Sequence, residues 1–292
     1  PTVFRTRAET DAWDGSRTVK ANRMLRERVL VALALLVISL VFVFLGGWAF
    51  SAYLTIILCI AAWEYGRIFA AGSYAPNRPL LVGGVALLCL SRAAFGLAVS
   101  GGLLGLLTLL AMALHLFAYE RGVESAALDF VISLGGLLYL GWIGSYLISL
   151  RALSDGDWWL LLIVPIVALG DSGAFFIGRA FGRHPLAKRL SPKKTWEGYL
   201  GGVACAILGG MGLATLWHFA CPTITPVLGL GFGAVLGFFT PLGDLGESML
   251  KRPFQVKDSG RLLPGHGGIF DRIDSWLWAG FLGYYLVLWF GA

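Results

Sequence analysis

Long apolar stretches separated by short polar segments dominate the order of residues along this chain. The first stretch, 29–63, contains no charged residue and is interrupted by Gly46 and Gly47. A single span needs about 20 apolar residues, so this stretch is too long for one helix and predicts a helical hairpin. A second pair of spans is predicted over 80–119, with a break near 100–102, where serine and two glycines follow one another.

Five further stretches have the length that one helix needs to cross the hydrocarbon core of a bilayer. The pattern predicts spans at about 126–150, 158–182, 198–220, 226–250 and 273–291. We therefore expect an all-α, polytopic integral membrane protein with about nine transmembrane helices. No internal repeat and no soluble domain is visible, so residues 29–292 are expected to form one membrane-embedded domain.

The composition supports lipid as the main solvent of the chain. Of the 292 residues, 57% are hydrophobic and only 14% are charged, whereas a soluble domain carries about 25% charged residues. The formal net charge of +6 is concentrated in the tail 1–28 and in two later segments. This basic tail is too long and too mixed in charge for the n-region of a cleavable signal peptide. We expect it to lie in the cytoplasm, along anionic headgroups.

The distribution of Lys and Arg predicts the orientation of the chain. With the tail inside, four segments face the cytoplasm: 64–79, 120–125, 183–197 and 251–272. The connections on the opposite side contain only one Lys or Arg residue, Arg151. The basic segments 183–197 and 251–272 are separated by a helical hairpin and can meet at one membrane face. We expect a multi-pass protein of the cell membrane with its active site on the cytoplasmic side.

Charged residues and glycines are most densely mixed between Asp244 and Asp274. Hard divalent cations such as Mg²⁺ prefer carboxylate oxygens, and bind through one or two of them plus substrate phosphates. Lys and Arg neutralise the remaining phosphate charge, and glycines let backbone N–H groups approach phosphate oxygens. The stretch therefore predicts a site for a metal ion and a polyphosphate; the alternative is a solvated loop with unspecific ion pairs. Its carboxylates are Asp244, Glu247, Asp258, Asp271 and Asp274, its cations Lys251, Arg252, Lys257, Arg261 and Arg272, and its glycines Gly260, Gly265, Gly267 and Gly268.

Three other features are candidates for substrate contacts. Asp171 lies inside an apolar stretch, where an ionisable residue is costly and suggests function; a capped or paired polar group is the alternative. Lys193 and Lys194 follow Ser191 just before a span, at the depth of lipid phosphates, or they serve only as a positive-inside anchor. His266, with glycines on both sides, would act as a general acid or as a donor to phosphate.

Three blocks in the second half of the chain follow a recognisable pattern. From Ser248 to Asp274 the chain reads S-x-L-K-R-x₄-K-D-x-G-x₂-L-P-x-H-G-G-I-x-D-R-I-D, and earlier blocks read D-S-G-A-F-F-I-G-R-x-F-G from Asp171 and S-P-K-K-T-W-E-G from Ser191. These blocks resemble the phosphatidate cytidylyltransferase (CDP-diacylglycerol synthase) family. The resemblance is strong over 171–290, the expected catalytic half. One departure is Gly-Asp-Ser around Asp171, where the family usually has Asn-Asp-Thr.

The resemblance implies an enzyme that transfers a cytidylyl group from CTP to phosphatidate, giving CDP-diacylglycerol and pyrophosphate in phospholipid biosynthesis. The expected cofactor is Mg²⁺ or Mn²⁺, with a second cation as an option. The expected partners are CTP, phosphatidate, the lipid bilayer and a second copy of the chain in a homodimer, with no nucleic acid.

The residues and the resemblance together assign roles to individual side chains. The catalytic residues would be Asp244, Asp271, Lys257, Asp258, His266 and Arg272. The substrate would be bound by Asp171, Ser191, Lys193, Lys194, Glu247, Ser248, Lys251, Arg252, Gly267 and Gly268. The leading metal ligands would be Asp244 and Asp271, with Asp258 and Asp274 as further candidates. The division of the basic residues between CTP and lipid phosphate stays open.

Two classes of alternative function remain at this point. One is a related membrane enzyme that uses CTP on another lipid, such as an isoprenoid-alcohol kinase or a CDP-archaeol synthase; the complete pattern ending at Asp274 argues against it. The other is an ion- or proton-coupled transporter with Asp171 and Asp244 as relay groups. Such transporters often have broken spans in paired halves, and the sequence shows no such repeat.

Overall fold

The computed structural model describes residues 29–260, 262 and 267–291. The basic tail 1–28 and His266 lie outside these residues, so what is expected of them stays a prediction. The described chain is built almost entirely of helices, which confirms the all-α fold class. The helices are α1 Val29–Leu45, α2 Gly47–Ala70, α3 Arg78–Glu120, α4 Ala126–Gly136, α5 Tyr146–Arg151, α6 Gly156–Phe181, α7 Trp196–Trp217, α8 Pro226–Phe239, α9 Pro241–Lys251 and α10 Phe270–Phe290, with a π-helix Leu137–Ile143 between α4 and α5 and a 3₁₀ turn Arg252–Phe254 after α9.

Six helical segments in the described residues are long and apolar enough to cross a bilayer. They are α2, α3, the run Ala126–Arg151, α6, α7 and the run Pro226–Phe254 that joins α8 to α9. Helix α1 is shorter in its described part, and α10 has three charged residues among its first five. A multi-pass membrane protein is therefore supported, while the number of nine spans stays a prediction.

Both predicted hairpins in the first half are present, but one breaks at a different residue. Helix α1 ends at Leu45 and α2 begins at Gly47, as predicted. The break predicted near 100–102 is wrong, because those residues are helical and α3 is kinked at Gly96 instead, with φ 74° and ψ −160°. Glycine has no Cβ atom and adopts these angles at little cost, whereas other residues are strained there.

Segment 183–197 contains a β-hairpin that the sequence pattern did not predict. Strand β1 (Pro185–Ala187) pairs antiparallel with strand β2 (Ser191–Thr195). The carboxylate of Glu197 lies 2.5 Å from the His184 ring nitrogen and accepts hydrogen bonds from the backbone N–H groups of residues 183 and 184. These contacts fix the hairpin to the first turn of α7, and with it the position of Lys194.

Helix α9 differs from the preceding helix α8 in carrying polar side chains. Thr240 keeps helical backbone angles between α8 and α9, and its hydroxyl donates to the Leu236 carbonyl at 2.8 Å. Helix α8 is apolar throughout, whereas Asp244, Glu247, Ser248 and Lys251 recur on α9 at intervals of three and four residues. This spacing places the four side chains on one face of α9, and α9 packs against α10.

Replacing Gly96 by Ala should destabilise the protein, although there is space for the added atom. A Cβ atom at Gly96 or at Gly102 would meet no atom within 4 Å, but only Gly96 has a positive φ. We expect Gly96→Ala to cost about 1–3 kcal/mol through backbone strain, and Gly102→Ala to be neutral or to stabilise by up to about 1 kcal/mol. Thermal melting in detergent measures both, and equal melting temperatures would contradict the kink at Gly96.

Candidate active site

A buried lysine joins the end of α9 to the start of α10. Lys251 Nζ lies 3.0 Å from Glu247 Oε2 and 2.6 Å from Asp271 Oδ1, and all three side chains are less than a tenth exposed. Glu247 and Lys251 are four residues apart on α9, and Asp271 lies in the first turn of α10. We call these three residues the lysine cluster. Its two carboxylates and one ammonium were all selected from the sequence.

Asp271 also holds the segment that precedes α10. Its Oδ2 atom accepts the backbone N–H of Ser259 at 2.9 Å and that of Gly268 at 2.8 Å, while Oδ1 faces Lys251. Both carboxylate oxygens are therefore engaged by groups of the protein itself. The Gly268 N–H, which the sequence assigned to substrate phosphate, donates to this carboxylate in the structure.

Glu64 of α2 is a site residue that the sequence reasoning did not select. The residue is 3% exposed, and its Oε2 atom accepts hydrogen bonds from the Ser259 hydroxyl at 3.0 Å and the Phe270 backbone N–H at 2.8 Å. One carboxylate therefore ties both ends of segment 259–270 to α2. A Cβ atom at Gly268 would collide with Glu64 Oε2, so this close approach requires glycine. The signal in the sequence is a single acidic residue near the end of an apolar stretch.

A second charged group lies where α6, β2, α9 and α10 meet. Lys194 Nζ is 2.5 Å from Asp244 Oδ2, and Asp171 and Asp274 both interact electrostatically with this pair. We call these four residues the aspartate group. Three carboxyl groups and one ammonium therefore lie within electrostatic range of one another. All four were selected from the sequence, and the fold brings them together from four separate elements.

A basic cavity of about 780 Å³ opens between the β-hairpin and α9. Among the described residues, the cations Lys188, Arg189 and Arg252 line it together with four apolar residues, and none of these is acidic. Arg252 Nε donates to the Leu190 carbonyl at 2.9 Å, which fixes the guanidinium against the hairpin. Such a lining suits phosphate groups. The sequence selected only Arg252, because Lys188 and Arg189 belong to a basic segment that positive-inside topology explains equally well.

The remaining predicted residues lie around these groups. Ser248 is buried on α9, and its hydroxyl donates to Asp244 Oδ1 at 3.4 Å. The others are at least partly exposed in the described part of the chain: Ser191 and Lys193 on β2, Lys257 and Asp258 after α9, Gly267 before α10, and Arg272 in its first turn. Their roles toward substrate stay predictions.

A family model described as the cytidylyltransferase family matches residues 26–290. The chain belongs to the cytidylyltransferase family. It is similar to curated proteins named phosphatidate cytidylyltransferase over most of its length. That of Pseudomonas aeruginosa is 36% identical over 262 residues, covering 86% of this chain and 93% of the relative. That of Brucella suis is 35% identical over 260 residues (86% and 88%), and that of Mycobacterium bovis is 32% identical over 275 residues (89% and 87%).

The two charged groups of this cytidylyltransferase differ in how well they suit a divalent cation. Within the described residues, no three His, Cys, Asp or Glu side chains are arranged to hold a metal ion by themselves. Mg²⁺ does not need such a cage, because it keeps several waters and binds through one or two carboxylates plus substrate phosphates. The Asp244 side chain is 43% exposed, and Asp171 and Asp274 interact with it electrostatically, so it fits that donor set. Asp271 fits less well, because its side chain is only 8% exposed and its oxygens face the buried Lys251 and two backbone N–H groups.

Glu64→Gln should lower the rate of cytidylyl transfer because it displaces the segment before α10, and not because it unfolds the protein. Gln keeps the shape but loses the charge, which weakens hydrogen bonds to Ser259 and Phe270 by about 1–2 kcal/mol in total. Ser259 and Phe270 then shift relative to the lysine cluster and the aspartate group. A small displacement of the reacting atoms lowers the rate about tenfold or more. We expect kcat to fall with KM little changed, measured beside thermal melting in detergent.

Asp129→Asn is the matched control for that change. Asp129 is another buried carboxylate, and it accepts one backbone N–H (Ala75, 2.8 Å) and one serine hydroxyl (Ser125, 2.7 Å). It ties the segment before α3 rather than the segment before α10. Asp129→Asn should lower the melting temperature to a similar extent and leave kcat close to wild type. Equal losses of kcat in the two variants would show that Glu64 acts only through stability.

Proposed function

We propose that this chain transfers a cytidylyl group from CTP to phosphatidate, giving CDP-diacylglycerol and pyrophosphate. The observation that carries the proposal is that the β-hairpin and α9 contribute residues both to the aspartate group and to the basic cavity. Carboxylates that suit a metal ion and cations that suit phosphates are thus positioned by the same two elements. The names of the curated relatives support the same reaction.

The proposed reaction needs charge neutralisation more than proton transfer. A phosphate oxygen of phosphatidate attacks the α-phosphorus of CTP, a new P–O bond forms, and the bond to the leaving pyrophosphate breaks. The attacking oxygen is already anionic, so a strong general base is not required. The main barrier is the approach of two polyanions and the charge on the leaving group. Lys188, Arg189 and Arg252 would lower that barrier by binding phosphate oxygens.

We propose Mg²⁺ or Mn²⁺ as the cofactor, held through Asp244 and substrate phosphates, with Asp171 and Asp274 contributing electrostatically. When bound, the ion would neutralise charge on phosphate oxygens, and a second cation is proposed as an option. Lys194 would hold the aspartate group in place and offer its ammonium to a phosphate. The Lys and Arg distribution supports a site on the cytoplasmic side of the cell membrane, and the family resemblance supports a homodimer.

The purified protein should convert phosphatidate and labelled CTP into a CDP-lipid, and the reaction should stop in excess EDTA and resume on adding Mg²⁺. The physical reason is that the aspartate group repels phosphates unless a cation is bound. Lipid product and pyrophosphate are the two readouts. The lipid assignment would be contradicted if product formed from an isoprenoid alcohol or an archaeol phosphate but not from phosphatidate. Solute uptake into proteoliposomes without release of pyrophosphate would instead indicate a transporter.

Asp244→Asn and Asp271→Asn should both lower the rate, but only Asp271→Asn should also lower stability. Asp244 is an exposed partner of Lys194, and such a pair is worth about 1 kcal/mol or less. Its loss as a metal donor should reduce kcat about a thousandfold. Asp271 is a buried partner of Lys251, and removing one partner of such a pair costs about 3–5 kcal/mol. Turnover and thermal melting of both variants test this distinction.

Lys257→Ala serves as the comparison, because Lys257 is exposed and its charge can be replaced by neighbouring cations. We expect a higher KM for CTP with most of kcat retained. If Asp244→Asn kept more than about a tenth of the wild-type rate at saturating Mg²⁺, Asp244 would not be the metal donor, and Asp258 and Asp274 would be the next carboxylates to test.

A further inference from the structure

The 3₁₀ turn after α9 places two side chains against two different elements. Arg252, its first residue, is exposed, lines the basic cavity and donates through Nε to the Leu190 carbonyl of the β-hairpin at 2.9 Å. Phe254, its last residue, packs against the end of α2. The turn therefore lies between α2 and the basic cavity, and its position determines where the Arg252 guanidinium lies.

The ring of Phe254 is held at the end of α2 by two other aromatic rings. Its centre lies 5.3 Å from that of Phe69, at an interplanar angle of 65°, and 6.1 Å from that of Tyr74, at 80°. Such edge-to-face pairs are more stable than their buried area alone would make them. Tyr74 is fixed in turn, because its backbone N–H donates to the Phe69 carbonyl at 3.3 Å. A Cβ atom at Gly72 would overlap the Phe254 ring, so the ring lies directly against the backbone there.

The backbone between Arg252 and Phe254 is a short and stiff connection. Only Pro253 separates the two residues, and its ring fixes one backbone angle. The Gln255 N–H donates to the Arg252 carbonyl at 3.1 Å, which closes the turn. Gln255 itself has the left-handed angles φ 55° and ψ 22°, which commonly end a helix. A displacement of Phe254 is therefore transmitted to Arg252 rather than absorbed between them.

We infer that Phe254 is a positioning residue for the phosphate site in the basic cavity. Its contact with α2 holds the turn from one side, and the Leu190 carbonyl holds Arg252 from the other. Without the ring the turn shifts, and Arg252 no longer meets a substrate phosphate with the fork that arginine uses for two oxygens. This inference rests on the proposed cytidylyl transfer, in which Arg252 binds a phosphate of one substrate.

The test measures kcat and the KM values for CTP and for phosphatidate with the purified full-length protein, beside thermal melting in detergent. Arg252→Gln shows which of the two KM values depends on the Arg252 guanidinium. Phe254→Leu removes the ring and keeps an apolar side chain. Gly72→Ala keeps the ring and pushes it away. Because Gly72 has no positive φ, the added methyl group acts through this collision and not through backbone strain.

Two control variants carry the same substitutions at other places. Phe42 of α1 is a partly buried ring stacked on Tyr53 at 4.6 Å, so Phe42→Leu also removes an aromatic contact. A Cβ atom at Gly83 would meet no atom within 4 Å, so Gly83→Ala adds a methyl group without a collision. Phe42→Leu should lower the melting temperature, and neither control should change either KM.

Arg252→Gln should raise one KM about tenfold, as expected for the loss of a charge-assisted hydrogen bond to phosphate. Phe254→Leu and Gly72→Ala should raise the same KM about threefold or more, with a smaller change in kcat, because they displace the guanidinium without removing it. Phe254→Leu added to Arg252→Gln should have little further effect on that KM, because the group that it positions is already absent.

The inference is wrong if Gly72→Ala and Phe254→Leu leave both KM values as the controls do, and Gly72→Ala alone decides where Phe254→Leu fails to fold. It is also wrong if Arg252→Gln changes neither KM, or if Phe254→Leu raises KM equally with and without the Arg252 guanidinium. A wild-type protein that forms no CDP-lipid would instead contradict the proposed function, and with it this inference. That result is distinct from unchanged KM values in an active protein.

Discussion

The ammonium of Lys251, buried between two carboxylates, is the interaction on which the candidate active site depends. It joins α9 to α10 across a break in helical structure, and it lies where water is largely excluded. A buried charge of this kind is stable only while its partners remain. The approach of the end of α9 to the start of α10 therefore depends on how Lys251 is paired. Glu247 and Asp271 are in this sense structural residues, whatever they contribute to chemistry.

The first half of the chain contributes a buried carboxylate to the site. Glu64 reaches from α2 to Ser259 and Phe270, so an apolar hairpin with few polar groups holds the segment before α10. In a low-dielectric environment these hydrogen bonds are stronger than at a water-exposed surface. The apolar spans at the start of the chain are thus more than an anchor, because they supply one of the contacts that shape the catalytic half.

Much of the fold and of the site follows from the sequence. Apolar length predicts the helices because each span must bury its own backbone hydrogen bonds, and the dense charge between Asp244 and Asp274 predicts where the chemistry lies. The break at Gly96 was missed because several glycines in α3 look alike in sequence, and only tertiary packing decides which one kinks. The β-hairpin was missed because strands of three and five residues carry no clear alternation. Glu64 was missed because its partners Ser259 and Phe270 are distant in sequence, and Lys188 because positive-inside topology explains its basic segment equally well.

The length of α8 has a consequence for how the two proposed substrates meet. Its fourteen residues rise about 21 Å, less than the roughly 30 Å thickness of the hydrocarbon core, so a span that enters the core at Pro226 would reach the polar face of α9 before it leaves the core. A lipid phosphate can then reach Asp244 and Lys194 while its acyl chains stay in the leaflet. The lipid finds the site by diffusion in two dimensions, and the nucleotide by diffusion in three. Saturation by phosphatidate is therefore set by its mole fraction in the membrane rather than by its amount per volume of solution.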